Sequence, residues 1–171
     1  MKKMLFLTLL LTLTTPLLAS EKSADAPQST FDVVLHHYEV VRVELLNDRM
    51  PNVAEHGEAI RKALADLQES WSAEQAGIDP AKAAEVREAL PKIAEAAAAL
   101  AKTSDLDAAR EAFYGVSQPL VRYWEAAAQT ASRGVVAFCP MVNKSWLQPK
   151  GEIGNPYHGQ SMAACGSVVA E

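Results

Sequence analysis

From Phe31 onward, apolar residues recur at Phe31, Val34, Leu35, Tyr38, Val41 and Leu45, steps of three and four that place them on one stripe of an α-helix. Met50-Pro51-Asn52 interrupts this stripe, because proline does not continue a helix interior. A second helix is predicted on Val53, Gly57, Ile60, Leu64, Leu67 and Trp71, with Gly77 ending the segment. A third opens at Asp79-Pro80, a capping residue followed by proline at the first helical position, and carries Val86, Leu90, Ile93, Ala97 and Leu100 on one face. A fourth begins at Ser104-Asp105 and continues through Leu106, Ala109, Phe113, Val116, Leu120 and Trp124. Pro91 and Pro119 fall inside the third and fourth, where a kink or a split is expected. Four amphipathic helices on short connections predict a mainly α fold, an antiparallel four-helix bundle over residues 31–132 with a complete core of its own.

The helical period stops at Ser132-Arg133-Gly134. A strand-like run, Val135-Val136-Ala137-Phe138, leads into a segment dense in proline, glycine, asparagine and aromatics. Gln148-Pro149-Lys150-Gly151 and Asn155-Pro156-Tyr157-His158-Gly159 both have turn chemistry. Residues 133–171 are therefore expected to form a small loop-rich appendage with little core of its own.

The start of the chain has a different pattern. Lys2 and Lys3 precede a largely apolar run over residues 5–13, interrupted by Thr8 and Thr12 and followed by Thr-Thr-Pro-Leu-Leu-Ala-Ser up to Ser20, the layout of a secretory signal peptide spanning residues 1–19. The run is shorter than the ~20 apolar residues a membrane helix needs, and no stable membrane insertion is expected after cleavage near Ala19. Residues 20–30 form a polar leader, expected to be disordered. The expected location is the periplasm. Cleavage would leave 14 basic against 21 acidic residues, a net charge of −7, which disfavours nucleic acid as a partner.

Composition adds a candidate chemistry. The only two cysteines, Cys139 and Cys165, stand in the appendage beside Met141 and Met162. Cys139 and Met141 are two apart around Pro140, so in extended chain they leave the backbone on one side. Met162 and Cys165 are three apart, which puts them on one face of a helical turn that Gly166 can end. Two thiolates and two thioethers make a soft donor set suited to Cu(I) or Ag(I), whereas Zn(II) prefers cysteine and histidine. A blue-copper site would need two histidines, and the appendage offers His158 alone. Cys-x-x-Cys-His, the haem attachment motif, does not occur.

The same segment resembles a bacterial domain family of unknown function, exported or lipid-anchored, that is also fused to the C-terminus of adaptor proteins of copper/silver efflux pumps. The resemblance lies in Phe138-Cys139-Pro140-Met141, Trp146-Leu147-Gln148, Glu152-Ile153, Asn155-Pro156-Tyr157-His158-Gly159, Met162 and Cys165-Gly166. It extends more weakly to Tyr38, to residues 109–113 and to Ser117. It implies heavy-metal handling and a periplasmic efflux component as partner; the ligand set follows from donor type.

The expected function is thus soft-metal binding by Cys139, Met141, Met162 and Cys165, with His158 as the one imidazole the segment could add. The rival is a structural or interaction protein whose appendage is held by a Cys139–Cys165 disulfide, worth about 3–4 kcal/mol for a loop of roughly 25 residues. The methionines would then fill core, and Trp146 is expected to be a hydrophobic plug in either case. His36, His37 and His56 read as exposed helix residues, with a second, borderline metal site among them as the alternative. No acid/base pair or thiol beside a histidine stands in the sequence, so catalysis is not expected.

Overall fold

The computed structural model describes residues 30–127 and 134–171. The expected signal peptide, the leader up to residue 29 and the join at residues 128–133 lie outside the described residues. Among those described, four helices are followed by a three-stranded antiparallel sheet. The helices are α1 (Thr30–Leu46), α2 (Val53–Ser70), α3 (Ala83–Leu100) and α4 (Leu106–Ala126). None of the described helices is long and apolar enough to cross a membrane.

Each helix buries most of the stripe that its sequence period marks out, with Leu35, Leu67 and Leu106 half-buried at its margin. Phe31, Val34, Tyr38, Val41 and Leu45 are buried on α1, and Val86, Leu90, Ile93, Ala97 and Leu100 on α3. The start signals act as capping chemistry requires, with one shift. Asp79 accepts a hydrogen bond from the Ala81 amide (2.9 Å), but it caps a 3-10 turn at Pro80–Lys82, and α3 begins just after it. Asp105 caps α4 directly, accepting from the Ala108 amide at 2.9 Å. Neither internal proline splits its helix. Along the chain each helix packs on the next, and α4 also packs on the sheet.

The C-terminal part is built differently from the loop-rich appendage expected of it. It is organised by β1 (Val135–Cys139), β2 (Lys144–Gln148) and β3 (Ser167–Ala170), in the order β2-β1-β3. The expected strand-like run became β1, while β2 and β3 are additions. The β1/β2 register pairs Ala137 with Trp146 and Cys139 with Lys144.

Nor does the core stop at the end of the helices. Val136, Ala137, Cys139, Trp146, Leu147 and Tyr157 belong to the same buried cluster as the helix stripes. Polar contacts tie the two parts as well. The buried Tyr38 hydroxyl of α1 hydrogen-bonds to Ser117 Oγ of α4 (2.8 Å) and accepts the Leu147 amide of β2 (3.2 Å). Burial raises the Tyr38 pKa well above the usual phenol value, which keeps this junction uncharged. Arg42 of α1 donates to the Gly154 carbonyl (2.7 Å), and Arg110 of α4 donates to the Pro156 carbonyl (3.1 Å) while pairing with Asp48. Two helices thus clamp the loop that precedes the second cysteine.

Candidate metal centre

Cys139 is the last residue of β1, and residues 140–143 turn the chain back into β2, with Asn143 in the left-handed region at φ 53°. This turn aims the amides of Met141 and Val142 at the Cys139 sulfur. Cys165 approaches from the other side. Its amide donates to the Met162 carbonyl (3.0 Å), just after a 3-10 turn at Gly159–Met162. Gly166 then carries the chain into β3 at φ 135°, a conformation that favours glycine. A Cβ there would lie 2.9 Å from both the Phe138 carbonyl oxygen and the Trp146 ring, so glycine is what lets β3 approach β1 this closely. The register pairs Phe138 with Ser167 and sets the two cysteines side by side, with their sulfurs 2.8 Å apart. Both are free thiols, Cys139 fully buried and Cys165 half-buried.

A third residue joins the pair, one that the sequence placed in a turn and in the string carrying the resemblance but not among the site residues. Asn155 is wholly buried. Its Nδ2 donates to the Cys165 carbonyl (2.9 Å), and its side chain also hydrogen-bonds to the Cys139 thiol. Its Oδ1 accepts the Tyr157 amide (2.8 Å), and its own amide donates to the Ala163 carbonyl (2.8 Å). One side chain therefore spans both cysteine-bearing segments. Its sequence signals were an asparagine before proline, which marks a turn, and its place in the string carrying the resemblance; neither speaks of a thiol.

These contacts polarise the pair. Burial pushes the Cys139 thiol up, but hydrogen bonds from Cys165 first, then from the Val142 and Met141 amides and Asn155, outweigh it and hold that thiol below its ordinary value. Cys165 moves the other way, chiefly because its thiol donates to Cys139, with burial and the neighbouring thiolate charge adding to the rise. The two thiols therefore share their protons and give them up in separate steps.

The remaining expected donors are placed less tightly. Met141 is 68% exposed and Met162 37% exposed, so neither fills core. What Met141 brings to the sulfurs is its amide, and what Met162 brings to Cys165 is its carbonyl. His158 precedes the 3-10 turn, partly buried, and its enclosed Nε2 has no hydrogen-bond partner among the described residues. No group of three His, Cys, Asp or Glu side chains that could hold a metal occurs among the described residues; thioethers lie outside that class. Trp146 is fully buried, its Nε1 donating to Gln148 Oε1 (2.9 Å) and its ring edge-on to Tyr157, in the place of a plug.

The helix histidines depart from expectation. His36 is exposed, but His37 and His56 are half-buried and face each other.

Comparison with family models, with curated proteins and with solved structures finds no match to this chain. The class of site is therefore defined by its own geometry: a polarised, hydrogen-bonded dithiol flanked by exposed thioether residues.

Proposed function

We propose that the protein is an exported soft-metal carrier, which holds Cu(I) or Ag(I) at Cys139 and Cys165 with Met141 and Met162 as thioether donors. It sequesters the ion in the periplasm or passes it to an efflux component, without catalysing a reaction. In this reading the four helices form an antiparallel bundle that serves as scaffold, and the sheet presents the site. The observation that carries the reading is the convergence of two free thiols, one held toward thiolate by backbone and Asn155 donors, beside two exposed methionines. Thiolate is the form that binds a soft metal, and thioethers are donors that Zn(II) does not favour. The resemblance of the Cys-Pro-Met and Met-x-x-Cys-Gly strings to a family linked with copper/silver efflux adaptors points the same way.

Binding asks for a small rearrangement. Two sulfurs each about 2.3 Å from one metal stand roughly 4 Å apart, so a pair at 2.8 Å must open by about 1 Å. Cys165 is suited to move, being half-buried and followed by Gly166. His158 would add a donor only by turning its enclosed imidazole toward the sulfurs.

The adjacency of the sulfurs also favours a second reading, in which oxidation joins them and the segment becomes a stapled structural element. Anaerobic titration separates the two. Reduced full-length mature protein, titrated with Cu(I) against a competing chelator and separately with Zn(II), should bind one equivalent of Cu(I) far more tightly than zinc. Equal or tighter zinc binding would overturn the soft-metal assignment. A protein purified with its thiols fully oxidised and resistant to mild reductant would favour the staple.

A further inference from the structure

A second convergence of metal-binding side chains lies on the helices, and it does not depend on the thiol pair. His37 of α1 and His56 of α2 meet across the first helix pair, Nδ1 to Nδ1, at 2.8 Å. Their ring centroids are 4.9 Å apart and their planes are inclined at 54°. His36 stands beside His37, centroid to centroid 5.2 Å. A hydrogen bond between two ring nitrogens needs one of them to be a lone pair, so the contact exists only while at least one imidazole is neutral. Burial, followed by the charges of His56 and His36, lowers the His37 pKa, with Glu55 opposing. Neutral imidazole is the form that binds metals.

The spacing is compatible with two neighbouring positions around one ion. Neighbouring ligands at 90° around an ion, each about 2.0 Å from it, are ~2.8 Å apart, whereas tetrahedral neighbours at that bond length are ~3.3 Å apart. Square-planar coordination by nitrogen and oxygen is the preference of Cu(II) and Ni(II), and Cu(II) binds such sites most tightly of the divalent series.

We propose that His37 and His56 form a second metal site, a two-imidazole chelate for Cu(II), with water in the remaining positions. Both rings swing slightly so that their Nδ1 lone pairs converge on the ion instead of on each other. The molecule would then take copper in its two oxidation states at two separate sites with donors matched to each, sulfur for Cu(I) and imidazole for Cu(II).

The test uses the full mature chain carrying Cys139→Ser and Cys165→Ser, so that thiols neither bind nor reduce the metal and failure of the soft-metal reading leaves the result unaffected. Cupric chloride is titrated and followed by electron paramagnetic resonance, with helical content checked by circular dichroism. One equivalent of Cu(II) with hyperfine structure from two nitrogens is expected. His37→Gln and His56→Gln, each still able to hydrogen-bond across the helix pair, should weaken binding at least tenfold, and His36→Ala should leave it within twofold. Binding unchanged in His56→Gln, a single nitrogen in the spectrum, or displacement of Cu(II) by equimolar Zn(II) would overturn the proposal.

Discussion

The helices and the C-terminal sheet share one core but treat their apolar surface in opposite ways. Among the described residues, the large apolar side chains left exposed are Met141, Met162, Val168 and Val169, all in the sheet part. The helices cover theirs. The sheet part also carries the thiol pair, while the helices contribute burial and the clamps that hold the loop under it. In the proposed reading the helices are scaffold and the sheet part carries the site, even though neither has a separate core.

The sharpest way to break this comparison is to remove the sheet. A chain ending before Val135 loses Val136, Trp146, Leu147 and Tyr157 from the shared cluster. Burying a large apolar side chain contributes about 1.5–3 kcal/mol. Four such losses, roughly 6–12 kcal/mol, match the whole stability of an ordinary domain, ~5–15 kcal/mol. The truncated chain should melt without cooperativity by circular dichroism. A sharp transition would show instead that the helices close a core alone, as their periodicity by itself suggests.

A smaller effect is expected at the junction. Tyr38→Phe removes one oxygen and leaves the Leu147 amide and Ser117 hydroxyl buried without that partner, which should cost about 1–3 kcal/mol in denaturant unfolding. Cu(I) stoichiometry should stay the same, because the thiols are held by other contacts. An unchanged midpoint would mean that the junction carries no stability.

Smaller still is the change expected from the methionines. Met141→Ala and Met162→Ala should each weaken Cu(I) binding by about tenfold, ~1.4 kcal/mol, and leave stability within ~0.5 kcal/mol because both side chains are exposed. Wild-type affinity in both variants would reduce the site to its two thiolates.

The finest distinction concerns protons. In metal-free reduced protein, thiolate absorbance should rise in two steps, one below and one above the ordinary thiol value, as the coupled pair gives up its two protons. Metal binding displaces thiol protons, so affinity rises with pH while protons remain to be displaced. Between the two steps one proton of the pair is left, and the rise should be about tenfold per pH unit; above the second step it should flatten. A single two-proton step would show that the pair is not polarised.

How much of this was legible in the sequence follows from the kind of signal each part carries. The helix stripes repeat over four or five turns, so Phe31 to Leu45 and Val86 to Leu100 were readable residue by residue. The strands are four or five residues long, and β3, with Ser167, Val168 and Val169 all exposed, lacks the alternation that would reveal it. β2 was hidden differently, because Trp146, Leu147 and Gln148 are buried in succession between the helices and the loop. The cysteines were identifiable by type, and the geometry adds their contact. Asn155 could not be found, since its role rests on a backbone that returns to Cys139 only after the sheet forms. The contact of His37 with His56 was not readable, because they lie nineteen residues apart on different helices and no local period links them.

The central claim is that sulfur alone holds a soft metal at the junction of β1 and β3. X-ray absorption at the copper edge of the Cu(I)-loaded, reduced protein tests it most directly. The account predicts a first shell of three or four sulfur scatterers at about 2.3 Å, falling by one in Met141→Ala or Met162→Ala and collapsing in Cys139→Ser. A first shell of nitrogen or oxygen, or a sulfur shell unchanged in Cys139→Ser, would contradict it.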